Sequence, residues 1–287
     1  MRVMVTGASG LLGEEIADHF EAKGHEVIRL KGRKQLDLRN LEAVLQFVVD
    51  IHPDVIVHAA AIKNVDDAER DPEETYLTNT VATRNVAMAA GKCGAKMVYI
   101  STDAVFDGEK ETVYHEFDPV GPINVYGASK LAGEMEVREL CRQHFIVRTG
   151  LLFGLKGRRE TNMVRGLFAR WEKGEVIPAA VNQKCSNTYT RDLARAIEIM
   201  ANTEYYGTYH ICNKGRASRY EFYSKLCTMA GYSPDLVQPA QASAIRFARR
   251  HKNTAMISLL YKDTFKDEMS DWEDAVSRFM EEYKKEN

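Results

Sequence analysis

The N-terminal stretch Met1-Arg-Val-Met-Val-Thr-Gly-Ala-Ser-Gly-Leu-Leu-Gly13 decides the fold of this 287-residue chain. Residues 2–6 form a short, apolar and partly β-branched run, which predicts a buried strand. Glycines follow at positions 7, 10 and 13, and the apolar residues from Leu11 to Phe20 have helical spacing. A strand, a glycine turn and a helix in this order can bind phosphate, because the backbone approaches closely and the helix N-terminus offers free N–H groups.

Strand and helix patterns alternate through the first 150 residues. This alternation is typical of an α/β fold in which a Rossmann-type, doubly wound parallel sheet carries helices on both faces. We expect residues 1–155 to form the cofactor-binding Rossmann domain, and residues 156–287 to complete the sheet and form a smaller C-terminal substrate-binding lobe. Strands are predicted at residues 2–6, 26–30, 54–61, 96–101, 145–148, 176–180 and 208–212. Helices after the first are predicted at residues 40–51, 72–93, 126–141, 161–173, 190–201, 219–231 and 272–283.

Composition excludes several classes of protein. A net charge of −2 argues against a nucleic-acid-binding protein, because such domains are normally strongly basic. No apolar run approaches the length of a membrane span, and the N-terminus has the pattern of a strand rather than of a signal peptide. The five cysteines are scattered, without a Cys-x-x-Cys pair or a Cys/His cluster. We therefore expect reduced thiols, a cytoplasmic location, no association with membranes and no metal site.

The turn after the second predicted strand is basic. Lys31, Arg33 and Lys34 supply positive charge there, and no carboxylate lies among them. An NAD site usually has an acidic residue at this point, whereas a basic residue suits the extra phosphate of NADP. The sequence thus favours NADP(H), with NAD(H) as the alternative cofactor and a solvated basic turn as the alternative interpretation. The predicted cofactor contacts are Gly7, Ser9, Gly10, Leu11, Leu12, Gly13, Lys31, Arg33, Lys34, Asp37, Leu38, Ala59, Ala60, Ala61, Asn79, Tyr126 and Lys130.

Tyr126 and Lys130 carry the candidate chemistry. They are four residues apart on a predicted helix, which places both side chains on one face. A phenol, with a pKa of about 10, is a poor acid or base at neutral pH, but a neighbouring ammonium group lowers that pKa. Thr102 ends the fourth predicted strand, just before this helix. The three residues are therefore a predicted catalytic group that exchanges a proton with a carbonyl or alcohol oxygen. A packing role for Tyr126 and a strand-ending role for Thr102 are the structural alternatives.

These motifs resemble the extended short-chain dehydrogenase/reductase family, and within it the dTDP-4-dehydrorhamnose reductases. The resemblance rests on Thr6-Gly-x-x-Gly-x-x-Gly13, Thr102 and Tyr126-x-x-x-Lys130. Further matching stretches are residues 36–38, 54–61, 65–69, 101–108, 122–134, 147–149, 190–194 and 207–211. The resemblance implies reduction of the 4-keto group of a nucleotide-activated 6-deoxy sugar by a nicotinamide cofactor. Tyr126 would protonate the new alkoxide, Lys130 would lower the tyrosine pKa and hold the nicotinamide ribose, and Thr102 would bind the keto oxygen.

Residues predicted to contact the substrate are Asp103, Ala104, Asn162 and Arg250. Asp103 follows Thr102 directly and could assist proton transfer or order its own loop. The resemblance implies that Asn162 lies near the substrate diphosphate. Arg250 belongs to a basic cluster, with Arg246, Arg249 and Lys252, that could bind a nucleotide diphosphate or form a solvated surface.

Several positions depart from the family pattern. Ala104 stands where the family usually has tyrosine, Gly150-Leu151 where it has Ser-Trp, and Ile62 where it has tyrosine. Aromatic groups that would line the sugar pocket are thus missing. We expect a pocket reshaped for another sugar or another ligand.

Two other functions stay open on the sequence alone. A nucleotide-sugar epimerase or dehydratase shares the scaffold, although a dehydratase normally needs a carboxylate pair where this chain has Asp103-Ala104. Relatives also serve as NADP-binding regulatory subunits of methionine adenosyltransferase. The intact Thr102, Tyr126 and Lys130 favour an enzyme. A nucleotide sugar is the expected partner, and a homodimer is compatible with the sequence.

Overall fold

The computed structural model describes residues 1–242 and 247–286. The strands of these residues, in chain order, are β1 (Arg2–Thr6), β2 (Glu26–Leu30), β3 (Val55–His58), β4 (Lys96–Thr102), β5 (His144–Thr149), β6 (Leu151–Phe153), β7 (Ile177–Ala180), β8 (Lys184–Cys185), β9 (Asn187–Tyr189), β10 (Gly207–His210), β11 (Ala217–Ser218) and β12 (Val237–Ala240). The α-helices are α1 (Leu11–Ala22), α2 (Leu41–Ile51), α3 (Val65–Arg70), α4 (Pro72–Tyr76), α5 (Ala82–Cys93), α6 (Val125–Leu140), α7 (Met163–Glu172), α8 (Thr190–Ala201), α9 (Arg219–Met229), α10 (Tyr261–Phe265) and α11 (Trp272–Glu286). A π-helical turn, Leu77–Val81, joins α4 to α5.

A six-stranded parallel sheet forms the centre of the molecule. Its strand order is β10-β5-β4-β3-β1-β2, and every neighbouring pair is parallel. The chain runs from β1 outward to β2, then returns past β1 to β3. The direction of winding therefore reverses beside the carboxyl end of β1, which is where ligands bind on such sheets. This confirms the predicted Rossmann-type, doubly wound fold.

Side chains of β1 alternate between two cores. Val3 and Val5 pack on the face covered by α1 and α8, whereas Met4 packs on the face covered by α2, α5 and α6. A third core lies outside the sheet. It joins aromatic residues of β6, α7, α9 and α11, among them Phe153 and Trp171, and forms the body of a C-terminal lobe. Burial on both faces explains why the central strands are continuous apolar runs.

Two predicted elements are corrected by the structure. Strand β3 ends at His58 rather than at residue 61, because the chain leaves the ladder and the Ala60 N–H donates to Thr6 Oγ1 at 3.2 Å. The predicted helix 72–93 is a short α-helix, a π-helical turn and a longer α-helix. Neither change alters the order or the direction of the strands in the central sheet.

Several short elements were not predicted. They are α3, α10 and five strands of the two-stranded pairs β6–β9, β7–β12 and β8–β11, in which β7 alone matches a predicted strand, at residues 176–180. Strands of two to four residues leave no recognisable period in a sequence. These pairs nevertheless matter, because β8 and the start of α9 contribute side chains to the cavity described below. No helix within residues 1–242 and 247–286 combines the length and apolar character of a membrane span.

Candidate active site

The glycine turn brings backbone against backbone at the carboxyl end of β1. Gly7 has a φ of 68°, which favours glycine, and a Cβ at Gly13 would lie 2.2 Å from the Gly7 carbonyl oxygen. Gly10 caps α1 without a side-chain hydrogen bond. Gly157 packs closely on the same turn, since a Cβ there would lie 2.7 Å from the Leu11 nitrogen. The start of α1 thus presents backbone N–H groups in a way that fits a pyrophosphate.

A cavity of about 150 Å³ opens beside this turn. Predicted cofactor residues that line it are Gly7, Arg33, Asp37, Leu38, Ala60 and Ala61. Arg39, which was not predicted, also lines it and donates to both Asp37 oxygens at 2.9 and 2.6 Å. Hydrogen bonds from Arg39 lower the pKa of Asp37 to about 2. Arg33 pairs with Glu74 and donates to Thr78 Oγ1. The guanidinium groups of Arg33 and Arg39 therefore both line this cavity, in the region where the sequence predicted a preference for NADP(H) over NAD(H).

Other predicted cofactor residues have structural contacts. Ser9 Oγ donates to the Lys31 carbonyl at 2.9 Å, while the side chains of Lys31 and Lys34 are exposed and outside the cavity lining. Asn79 is fully buried in the π-helical turn. Its side chain accepts from the Ile62 N–H at 2.8 Å and donates to the Ile62 carbonyl at 3.0 Å. Asn79 thus fixes the loop after β3, which carries Ala60 and Ala61.

Thr102 and Tyr126 meet at the carboxyl end of β4. Thr102 ends the strand, and its hydroxyl accepts from the Ala104 N–H at 3.1 Å. Tyr126 lies in the first turn of α6, which Asn124 caps by accepting from the Gly127 N–H. Burial raises the pKa of Tyr126 to about 12, and a hydrogen bond with Thr102 opposes that rise. The two hydroxyl groups therefore lie next to each other at the carboxyl edge of the sheet.

Lys130 lies one turn further along α6 and is almost fully buried. Its ammonium nitrogen lies 4.0 Å from the centre of the Tyr99 ring. Burial lowers the pKa of Lys130 to about 7, and the charge of Glu134 opposes that fall. From the sequence, Lys130 is expected to lower the tyrosine pKa. In the structure burial has the larger effect on Tyr126, and it raises the pKa instead.

A buried ion pair supports the helix that carries Tyr126 and Lys130. Arg148 of β5 donates from Nε and Nη2 to the two oxygens of Glu134, at 2.9 and 2.8 Å. Ser101 Oγ donates to the same carboxylate at 2.6 Å, and Arg138 Nη2 donates at 2.9 Å. Burial by itself raises the pKa of Glu134. The hydrogen bonds and positive charges around it together have a larger, opposite effect, so the net shift of the pKa is downward. The pair ties α6 to the strands beneath it.

A second cavity, of about 270 Å³, opens in front of Thr102 and Tyr126. Its basic side chains are Lys63, Lys184, Arg219, Arg250 and His251. Arg250 forms an ion pair with Asp66 at 2.8 Å. Lys63, Lys184 and Arg219 have no ion pair within residues 1–242 and 247–286. The cavity therefore has an excess of positive charge next to the candidate catalytic hydroxyls.

Asp103 and Ala104, which were predicted to contact the substrate, line the same cavity. The Asp103 carboxylate accepts from Thr254 Oγ1 at 2.5 Å and from Thr102 Oγ1 at 3.1 Å. Burial raises its pKa, against the effect of these hydrogen bonds and of His251. Asp103 thus fastens the end of β4 to the segment around Thr254.

Asn162, which was predicted to lie near the substrate diphosphate, is outside the lining of the second cavity. It is buried and caps α7 by accepting from the Val164 and Arg165 N–H groups. It also donates to the carbonyls of Gly154 and Lys156, so its hydrogen-bonding groups are all occupied. The same residue type serves both an N-cap and a ligand contact, which is why sequence alone did not separate them.

The predicted basic cluster is divided. Arg250 faces the second cavity, whereas Lys252 pairs with Glu109 on the surface at 2.6 Å. Arg246 lies outside the described residues. Instead, Lys63, Lys184 and Arg219 come from three separate parts of the chain. No local pattern marks their convergence, so sequence reasoning missed them.

The central sheet is of the Rossmann type and has a glycine turn at the point where its winding reverses. A threonine, a tyrosine and a lysine lie at its carboxyl edge. Together these features define an oxidoreductase of the short-chain dehydrogenase/reductase type. The chain belongs to the RmlD substrate binding domain family, whose model matches residues 1–285.

Relatives agree along nearly the whole chain. The spore coat polysaccharide biosynthesis protein SpsK of Bacillus subtilis is 34% identical over 230 residues, 80% of this chain and 80% of that protein. A dTDP-4-dehydrorhamnose reductase of Burkholderia thailandensis is 33% identical, with 96% of this chain and 97% of that protein covered. A crystal structure of dTDP-4-dehydrorhamnose reductase from Bacillus anthracis in complex with NADP superposes with a TM-score of 0.92 and 37% identity, covering 98% of this chain and 99% of that one.

Proposed function

We propose that this protein reduces the 4-keto group of a nucleotide-activated 6-deoxy sugar with NADPH. The observation that carries the proposal is the second cavity, where Thr102 and Tyr126 lie beside three basic side chains without ion pairs. A keto sugar needs hydroxyl groups at its reacting oxygen, and a nucleotide sugar carries a diphosphate that needs positive charge. Relatives named dTDP-4-dehydrorhamnose reductase support the same assignment.

The first cavity and the glycine turn suit the cofactor. The N–H groups at the start of α1 would hold the pyrophosphate, and Arg33 and Arg39, which line this cavity, would bind the phosphate on the adenosine ribose of NADPH. The NADP reported in the related Bacillus anthracis structure supports NADP(H) over NAD(H). When bound, this cofactor supplies the hydride.

Residues of the protein donate the proton and stabilise the charge on the keto oxygen. Tyr126 Oη would donate to the keto oxygen, and Thr102 Oγ1 would do so once its proton turns from Asp103 to the substrate, so that both stabilise the negative charge that develops there. Tyr126 is protonated at neutral pH, because burial raises its pKa to about 12. It can therefore donate its proton to the alkoxide. The Lys130 ammonium would hold the nicotinamide ribose and favour the phenolate that Tyr126 becomes.

Lys63, Lys184 and Arg219 would hold the diphosphate. Arg219 offers a planar guanidinium that matches phosphate oxygens, while the two lysines act as point charges. We propose that residues 1–155 bind the cofactor and that residues 156–287 complete the sheet and cover the substrate. The homodimer remains a prediction, which light scattering on the purified protein would test.

The test is NADPH oxidation with a panel of 4-keto-6-deoxy sugar nucleotides. We expect turnover with at least one member, and we expect Tyr126→Phe to reduce kcat by roughly 10²–10⁴-fold, the usual contribution of a positioned acid. Exposed Tyr205→Phe is the matched control and should leave kcat unchanged. Turnover that is the same in Tyr126→Phe would remove Tyr126 from the mechanism.

A further inference from the structure

The ammonium group of Lys130 lies against an aromatic ring, that of Tyr99, which has no part in the hydride or proton transfer. Lys130 is only 2% exposed, and its nitrogen lies 4.0 Å from the centre of the Tyr99 ring. Tyr99 belongs to β4, three residues before Thr102, and is fully buried. A cation over the face of an aromatic ring is attracted by the negative charge of that face, and most strongly where water is excluded.

Tyr99 is held in this place from several sides. Its hydroxyl donates to the Lys130 carbonyl at 3.2 Å, so the ring is attached to the same turn of α6 whose side chain it supports. Gly133 makes room for it, since a Cβ at Gly133 would lie 2.3 Å from the Tyr99 hydroxyl. The ring also stacks on His58, with ring centres 5.9 Å apart. Such contacts on several sides fix the ring rather than merely fill space.

Among the charged groups near Lys130, Glu134 opposes the fall in its pKa. On its own helix, Tyr126 is neutral and Glu134 is already engaged by Arg148 of β5. On β3, His58 is buried between the hydroxyls of Thr6 and Thr83, and burial lowers its pKa to about 3. His58 is therefore neutral and adds no charge. Besides the charge of Glu134, the Tyr99 ring favours the ammonium form, and it lies directly against the nitrogen.

We propose that Tyr99 is a positioning residue, which keeps the buried Lys130 ammonium protonated and in place through a cation–π contact. The role of Lys130 rests on the function proposed above, but the contact itself does not. Without the ring, less would oppose the lowering of the Lys130 pKa by burial, and Lys130 would lose its proton at a lower pH. The ring thus extends the pH range over which Lys130 carries its charge.

The direct test measures the protonation of Lys130 as the ring's face charge is changed. Tyr99 is replaced by phenylalanine and, by codon suppression, by trifluoro- and pentafluorophenylalanine, which keep the ring's shape and remove its negative face. The pKa of Lys130 is read by NMR on protein with 13C at lysine Cε, its resonance assigned with Lys130→Met. We expect Tyr99→Phe to match wild type and pentafluorophenylalanine to lower the Lys130 pKa by about 1, the shift a desolvated cation–π contact supports. A Lys130 pKa that is constant across the series overturns the proposal.

The activity test follows the basic limb of the kcat/KM profile for the sugar nucleotide. The limb should move to lower pH with fluorination, by the same amount as the NMR titration. A ring that served only packing would change the rate at every pH and leave the limb in place, which would also overturn the proposal. Thermal unfolding of each variant shows that it is folded. If wild type reduces no sugar nucleotide, the proposed function fails, while the NMR titration still decides the role of Tyr99.

Discussion

The buried pair of Glu134 and Arg148 gives the sharpest stability prediction. Glu134 is fully buried and Arg148 is 4% exposed, and two hydrogen bonds of 2.9 and 2.8 Å join them. Arg148→Met should destabilise the protein by about 3–5 kcal/mol, the usual cost of leaving a buried charge without its partner. Ser101 and Arg138 still donate to the carboxylate, which places the expected loss at the lower end of that range.

The double variant tests the reason for that loss. Glu134→Leu combined with Arg148→Met removes both charges, so its cost should be well below the sum of the single costs, with a coupling of about 2 kcal/mol or more. Urea unfolding followed by circular dichroism measures all four proteins of the cycle. Additive single costs would refute the argument, because they would mean that each side chain contributes through packing alone.

The pH dependence of the same pair has a definite sign. In wild type the pKa of Glu134 is lowered, so its stabilising effect is present above the unfolded carboxyl pKa and is lost as the pH falls. In Arg148→Met, burial would be less opposed and would raise that pKa. The penalty of the variant should then diminish as Glu134 takes up a proton. The gap in stability between the two proteins should therefore narrow from pH 7 toward pH 4.5, as urea unfolding at each pH would show.

Three further outcomes follow from the geometry. Gly13→Ala should weaken NADPH binding by at least about tenfold, roughly 1.4 kcal/mol, because its Cβ would displace the Gly7 carbonyl 2.2 Å away; unchanged affinity in calorimetry would contradict this. Arg219→Met should raise KM for the sugar nucleotide by about tenfold or more, from the loss of a charge-assisted contact, with kcat nearly constant in steady-state kinetics. His58 should make the protein less stable by about 1.4 kcal/mol per pH unit below about pH 6.5, because its folded pKa is about 3 and the unfolded chain takes up the proton first. Urea unfolding should show the pH slope decrease by about this amount in His58→Gln and stay unchanged in the exposed control His52→Asn.

The sequence was sufficient for the sheet but not for the substrate cavity. Strands β1, β4 and β5 are buried on both faces, so each is a continuous apolar run that stands out in the sequence. Asn40, the residue at which the second helix was predicted to begin, caps α2 by accepting from the Ala43 N–H at 3.1 Å. Such features are local, and a short window of sequence contains their cause.

The cavity depends on contacts between distant parts of the chain. Lys63 follows β3, Lys184 lies in a two-residue strand, and Arg219 begins α9. Only the folded chain brings these three together, and each alone is an ordinary surface cation. The role of Tyr99 could not be predicted from the sequence either. Within β4 it has the pattern of a core residue, and nothing in the sequence marks the ammonium group above its ring.

The last strand of the central sheet has a consequence for how the protein is made. Strand β10 pairs with β5, and residues of α8 and α10 complete the core that β1 begins, including Leu193 and Tyr261. While the ribosome is still translating the second half, the nascent first half therefore exposes the part of one apolar sheet face that α8 later covers, together with an unpaired β5 edge. We expect the nascent chain to rely on chaperones until its final third has emerged, and a fragment of residues 1–155 to aggregate rather than fold.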